Sequence, residues 1–334
     1  MTKKEFLDAL LPELRKTLPA DEVVGAMEYY EECINDRMED GLSEEEAVQS
    51  LGSIDDILHS EKAETNAPHA EDPQASREFH TIVADVVSAD VQILLNPGKA
   101  GIVEVPHTDR SNVDVQVQNG VLTIHEHVWK RNGSIFNISF FTAKNDIVIY
   151  VSDRQPLTTL RVSTVSGDIT ADGVWVERGM ELKSTSGDID LQNAKISGDL
   201  AVTSRSGDLD IHHVRGNGNL QFSSLSGDID TTDVCGNRAI SLDAKSGDLD
   251  LRDVTAGNIS AKTVSGDIDV HNLSAEMATL NTTSGDIEGK IADSPQGYTT
   301  QFSSVSGTVS TESGTGGSKR VMAKTVSGNI ALHF

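Results

Sequence analysis

Aromatic side chains are scarce in this sequence, with two Trp, four Tyr and eight Phe in 334 residues. A core built around packed rings is excluded, and small aliphatic side chains must fill the interior instead. Basic residues are also few, 27 Lys and Arg against 52 Asp and Glu, which sets the formal net charge at −25. Nucleic acid is not an expected partner, because phosphate binding needs a basic patch and usually stacking aromatics. The two cysteines, Cys33 and Cys235, fall in what read as different domains, so a disulfide framework is excluded. No apolar run reaches the roughly eighteen residues of a membrane-spanning helix, and none is expected. Lys3, Lys4, Glu5, Asp8 and Glu13 interrupt the first leucines, which is unlike a signal peptide. The expected location is the cytoplasm; the alternative is the cell envelope, reached by a route that no signal peptide encodes. What the chain does have is 37% hydrophobic and 24% charged residues, the balance of a folded protein. Its length exceeds what one core normally fills, so more than one domain is expected.

Residues 1–62 read as a small all-α bundle. Phe6, Leu7, Leu10, Leu11 and Leu14 recur at the spacing of an amphipathic helix, which halts at Pro19. A second helix carries Val23, Val24, Met27, Tyr30, Ile34 and Met38 and ends at Gly41. Ser43 and Glu46 form a capping box for a third helix through Leu51, and Ser53 can cap a fourth. The segment holds 17 acidic and 6 basic residues. Residues 63–78, with Pro68 and Pro73, offer too little apolar surface to order themselves and read as a linker. Short alternating runs of Val and Ile then begin, with a turn at Asn119-Gly120, so residues 79–160 read as the β-rich beginning or cap of a larger β domain.

From residue 161 to 334 the chain repeats. Ser-Gly-Asp or a close variant places its glycine at Gly167, Gly187, Gly207, Gly227, Gly247, Gly266, Gly285, Gly307 and Gly328, in steps of 20, 20, 20, 20, 19, 19, 22 and 21. Two positions after each glycine stands an aliphatic residue, from Ile169 and Ile189 to Val309 and Ile330. Five positions before it runs a second column, from Val162 and Leu182 to Phe302 and Ala323, and seven after it a third, from Val174 to Leu273. Columns of this kind arise when short strands stack in register on copies of themselves. The expected fold is mainly β, a parallel β-helix or β-solenoid of about nine coils of 19–22 residues, preceded by the helical bundle.

The residues also resemble known families in two places. Residues 1–60, through Tyr29-Tyr30-Glu31-Glu32, Glu39-Asp40-Gly41, Ser43-Glu44-Glu45-Glu46-Ala47 and Leu51-Gly52-Ser53, resemble the bacterial HAAS signalling domain. That resemblance implies a small helical module placed ahead of membrane or sensory segments and associated with transcriptional control circuits. Residues 79–334, through the Ser-Gly-Asp-Ile/Leu repeats, resemble a bacterial family of unknown function labelled "putative adhesin", which implies a β-solenoid. Neither resemblance implies a catalytic residue.

Candidate chemistry lies mainly at repeated positions. Asp188, Asp208, Asp228, Asp248 and Asp267 form a column that could hold calcium weakly, since hard cations want several oxygen ligands. The same residues also suit turn chemistry, with glycine easing the backbone and Ser and Asp bonding neighbouring amides, and this reading is favoured. A second column, Asp190, Asp210, Asp230, Asp250 and Asp269, stands two positions later. Arg205 and Lys245 precede Ser206 and Ser246 and are expected to salt-bridge to aspartates of adjacent coils. His125 and His127 share one face of a strand, but no third zinc ligand is identifiable. Gly216 and Gly218 read as coil turns, and Gly314 to Lys319 lacks the ending of a phosphate loop. Cys33, beside Glu31, Glu32 and Asp36, reads as inert.

The last coil runs straight into the C-terminus, so Ile330, Leu332 and Phe334 are expected at an open end, where Phe334 folds over or coils of two copies meet. With every carboxylate in a repeated column, a non-enzymatic interaction or scaffold protein is expected, docking a protein partner through residues 1–62 and displaying an acidic solenoid. The alternative is a cation-dependent carbohydrate-binding, adhesin-like envelope protein, and third a polysaccharide-cleaving enzyme, which would need a unique acid–base constellation.

Overall fold

The structure, a computed structural model, describes residues 2–17, 34, 43, 44, 48, 79–105, 113–126, 146–292 and 294–334. The chain divides into two compact units, residues 1–73 with 133–143, and residues 74–132 with 144–334. In the first unit, helix α1 spans Lys3–Thr17 and buries Phe6 and Leu10. Thr2 and Glu5 cap it reciprocally: the Glu5 amide donates to Thr2 Oγ1 at 3.3 Å and the Thr2 amide to Glu5 Oε2 at 2.9 Å. Ile34 and Val48 are helical and buried. Glu44 is helical as well, while the remaining parts of the expected second to fourth helices, Glu46 of the expected capping box, the linker 63–78, Cys33 and His127 lie outside the described residues. Among the described residues no helix is long and apolar enough to cross a membrane.

The second unit is a β-solenoid of about eight turns. One coil shows why. Ile189–Gln192, Lys195–Ile196 and Asp199–Ser204 are three short strands, one on each side of the coil. Ile189, Leu191, Ala194, Ile196, Leu200 and Val202 point inward, and every one is 2% exposed or less. Alternation sends their neighbours Asp190, Gln192 and Lys195 outward. The next coil pairs parallel and in register, Ile189 with Leu209, Asp190 with Asp210 and Val202 with Phe222, so like residues stack. At the first corner the chain must turn with a left-handed residue. Gly173, Asn193, His213, Asp233, Asp253 and Asn272 take positive φ there, and they are the residue types that tolerate it.

The Ser-Gly-Asp corner depends on a different constraint. Its glycines do not have positive φ; they lack a Cβ because there is no room for one. A Cβ on Gly187, Gly207, Gly227, Gly247, Gly266 or Gly285 would stand 1.9–2.2 Å from the carbonyl oxygen of the preceding corner glycine. Glycine thus serves close approach of stacked coils rather than backbone freedom, which corrects the turn-conformation expectation.

Both ends of the solenoid are interleaved. The strand Thr81–Asp85 pairs parallel with Leu157–Ser163 on one side and with Val121–Glu126 on the other, and Val91–Leu95 lies likewise between Ile169–Asp172 and Ile147–Val151. The chain therefore starts one level in, runs out to the end and returns. Two antiparallel strands, Val103–Glu104 and Val113–Gln118, pair with the outer edges of that end level. At the other end Lys319–Thr325 sits between residues 277–281 and Tyr298–Ser304, and Ile330–His333 between Ile287–Ile291 and the bridge at Val309. The last coil in sequence is not the last in space. Ile330 and Leu332 are fully buried, and the Phe334 ring packs on Tyr298 with centroids 5.3 Å apart, so the expected open end at Ile330, Leu332 and Phe334 is corrected. The outermost level is residues 298–310, where Val305 and Val309 are 73% and 46% exposed.

The steric reading predicts that Gly207→Ala, whose methyl would lie 2.1 Å from the Gly187 carbonyl oxygen, lowers stability in chemical denaturation by at least the ~1–3 kcal/mol of an overpacked core. An unchanged midpoint would show that the corner can relax.

Candidate functional site

The outer surface around the Ser-Gly-Asp corner holds the densest chemistry in the described residues. It starts from the corner aspartate. Each Oδ1 accepts the backbone amide of the equivalent residue on the next coil, from Asp168 onto Asp90 through Asp188, Asp208, Asp228, Asp248, Asp267 and Asp286 to Asn329 and Thr308, at 2.6–3.0 Å. These are charge-assisted bonds in series, and they give the carboxylates of the column a structural task. The expected calcium ligands Asp188, Asp208, Asp228, Asp248 and Asp267 are thus brought into one row, but as rungs of a ladder. Among the described residues no group of three or more His, Cys, Asp or Glu is arranged to hold a metal ion.

A second ladder runs inside the first, three residues before each glycine. Ser184, Ser204, Ser224, Thr263, Thr282, Thr325 and Ser304 donate their hydroxyls to the carbonyls of Gly167, Gly187, Gly207, Gly247, Gly266, Gly285 and Gly328 at 2.7–3.5 Å. Thr164, Ser184 and Ser204 also accept the amides of Gly167, Gly187 and Gly207. The column breaks once, at Ala244, which has no hydroxyl to offer to Gly227. Ser or Thr at every other copy is the sequence signal of this ladder. The corner serines themselves are exposed.

The first rung lies before the recognised repeats. Ser88-Ala89-Asp90 stands where a Ser-Gly-Asp would, and the Glu126 carboxylate closes it. Oε2 accepts the amides of Val87, Ser88 and Ala89 at 2.6, 2.8 and 3.2 Å, and Oε1 accepts the Ser88 hydroxyl at 2.7 Å. Burial alone would raise the Glu126 carboxyl, but the hydrogen bonds from Ser88, Val87 and Ala89 outweigh it and hold it below the ordinary value. A matching device stands at the second corner. Ser197-Gly198-Asp199 is followed by Asn217-Gly218-Asn219, with the Asn219 amide on Asp199 Oδ1 at 2.8 Å and no room for a Cβ on Gly218. Gly218 is therefore a coil turn as expected, while Gly216 lies in a strand.

Beside the aspartate ladder runs the second acidic column. Asp190, Asp210, Asp230, Asp250, Asp269 and Glu288 stand side by side in register. At a coil spacing of ~4.8 Å, adjacent charges repel by roughly 0.9 kcal/mol even at the dielectric of bulk water. Partial burial, then the neighbouring carboxylates, push Asp210, Asp230 and Asp269 above the ordinary aspartate value. Two residues further along four of these strands are His212, Arg252, His271 and Lys290, on the same face. Arg252 binds the Asp250 carboxylate through Nε and Nη2.

Other expected residues fall elsewhere. Arg205 and Lys245 are exposed and make no ion pair among the described residues, so the expected salt bridges do not form there. His125 is exposed on the strand Val121–Glu126. Cys235 is a half-buried free thiol. Gly314 and Gly317 pack against the backbone of Pro295, Gly297 and Tyr298, which is a structural role. A shallow groove of about 360 Å³ crosses the side that carries Thr159, Arg161, Glu181, Asp199, Asn219 and Gln221; Gly179 and Ala201 lower its floor.

A family model described as Toastrack DUF4097 matches residues 79–333, and the HAAS model matches residues 5–58. No curated protein matches the chain. Two solved structures are similar. One, described as a "putative adhesin" from Bacteroides fragilis, is 16% identical with a TM-score of 0.38, over 77% of this chain and 93% of that one. The other, described as a "putative cell adhesion protein" from Clostridium sporogenes, is 12% identical with a TM-score of 0.24, over 77% of this chain and 94% of that one. No functional reading rests on either.

The ladders make two outcomes testable. Ala244→Ser restores the missing hydroxyl and raises stability by about 0.5–1.5 kcal/mol in thermal or denaturant unfolding; a destabilised variant would show that the site is too tight. For the second column, a raised folded pKa means that the repulsion is present at neutral pH and is relieved as pH falls through the folded values toward the unfolded value of about 3.9. Replacing Asp210, Asp230 and Asp269 together by Asn should raise the Tm at pH 7 and flatten its pH dependence between about pH 7 and 4. An equal slope in the parent and variant would overturn this.

Proposed function

Since this chain belongs to the Toastrack DUF4097 family, we propose that it is a non-enzymatic interaction protein in which the solenoid is a rigid display surface and the N-terminal HAAS region docks a protein partner. The observation that carries this reading is the commitment of the reactive-looking groups to the fold. The corner carboxylates accept amides and the buried hydroxyls donate to carbonyls, coil after coil. A hydrolase needs an acid and a base in a local setting that separates their pKa values, whereas a ladder gives each rung nearly the same setting. The unbroken aspartate ladder also resists bending and twisting between coils, which suits a spacer or platform. The cytoplasm is the location proposed with this reading.

A second reading, a carbohydrate-binding envelope protein, is supported by the groove beside Arg161, Glu181, Asp199, Asn219 and Gln221, whose guanidinium, carboxylate and amide groups suit sugar hydroxyls.

Affinity capture from native lysate separates the two readings, with the full chain and a chain lacking residues 1–62 as baits, each with and without calcium. A specific protein held by the full chain and lost with residues 1–62 supports the docking reading. Glycan retained by both baits and released on chelation supports the second and overturns the first.

A further inference from the structure

We propose that the seam between the coil at residues 277–291 and the outermost level at 298–310 is a strand-acceptor site, filled by this chain's own residues 319–334 and open to the same segment from a second copy. The segment is a keystone. On one face, Arg320 to Lys324 pair with Met277 to Asn281 and Ile330 to His333 with Ile287 to Lys290. On the other face, Lys319 to Thr325 pair with Tyr298 to Ser304, the one strand ladder that Tyr298–Ser304 makes among the described residues, and Ile330 bridges Val309.

Both corner ladders pass through it as well. Below, the Asn329 amide donates to Asp286 Oδ1 and the Thr325 hydroxyl to the Gly285 carbonyl. Above, the Thr308 amide donates to Asn329 Oδ1 and the Ser304 hydroxyl to the Gly328 carbonyl. The amides of Ser327 and Ser306 complete the stack, donating to the carbonyls of Thr283 and Val326. Without the segment the outermost level keeps none of these links, whereas the coils at 157–276, which make no strand pairing with it, keep theirs.

What the seam recognises is therefore a short extended chain with alternating aliphatic residues, here Val321, Ala323, Ile330 and Leu332, joined by a Ser-Gly-Asn corner. Recognition is mainly by backbone hydrogen bonds, as in strand addition. Thr325 and Asn329 add side-chain hydrogen bonds, and the strictest steric demand is at Gly328, where a Cβ would stand 1.9 Å from the Gly285 carbonyl oxygen. The connector that leads to the segment contains Gly314, Gly316 and Gly317. A second copy supplies the same hydrogen-bond pattern, so exchange between chains needs no new contact.

Hydrogen exchange on two variants tests the proposal: the full-length Gly328→Val protein and a chain ending at Gly317. Both should lose protection at 298–304 and keep it across 157–276. A synthetic peptide of residues 318–334 added to the shortened chain should slow exchange at 298–304 by at least about ten-fold, and a scrambled peptide should not. Protection of 298–304 in both variants would overturn the keystone, and failure of the peptide would overturn the acceptor site. Loss of protection across 157–276 in both variants would overturn the proposal too, because it requires those coils to stand alone.

Discussion

The solenoid depends on a contact in which nothing can be added. At the Ser-Gly-Asp corner each glycine lies directly over the carbonyl of the one before it, and a Cβ there would come within 1.9–2.2 Å of that oxygen. This approach brings the next amide to the preceding aspartate and the buried hydroxyl to the preceding glycine carbonyl. The three residue types are consequently one device: glycine sets the spacing, while Asp and Ser or Thr satisfy the backbone groups that the tight turn takes out of strand pairing. Repeated along the axis, the device aligns like with like, and that alignment places the aliphatic columns inside.

The same alignment has a cost, since stacking identical coils also stacks identical charges. Asp190 to Glu288 form a row that folding does not require for turn closure, and burial and mutual repulsion raise three of its members. His212, Arg252 and His271 on the same face offset part of that repulsion. The corner aspartates are different, because each carboxylate meets an amide. Two neighbouring acidic columns thus play opposite parts in stability.

A stacked repeat also has the problem of its ends, where an unpaired strand edge invites association. Here both chain ends of the solenoid are threaded one level inward, at Thr81–Asp85 and at Lys319–His333, and the outermost levels are formed by excursions that return. Glu126 terminates the ladder at one end with a carboxylate that meets several amides, and Asn329 and Thr308 terminate it at the other with neutral side chains. Release of either segment then requires withdrawal from between two coils rather than peeling from an edge.

Much of this was legible in the sequence. The period, the three aliphatic columns and the choice of strand over helix come from local patterning, because a stacked coil repeats its inward positions at fixed intervals. The hydroxyl column and the Gly, Asn, Asp and His corner from Gly173 to Asn272 were equally legible, since each is confined to a few residue types. Glu126, Ser88-Ala89-Asp90 and the true end of the solenoid were not. Glu126 acts once and across 37–39 residues, so no repetition marks it. The order of the end levels is a matter of which edge a segment joins, and Lys319–His333 carries the same pattern whether it stacks last or between. The sequence by itself determined the coil, because the coil is built from contacts that recur at every copy. Only the tertiary structure decided the order of the coils at the two ends and which carboxylates are bound, because both depend on a neighbour that spacing along the chain does not name.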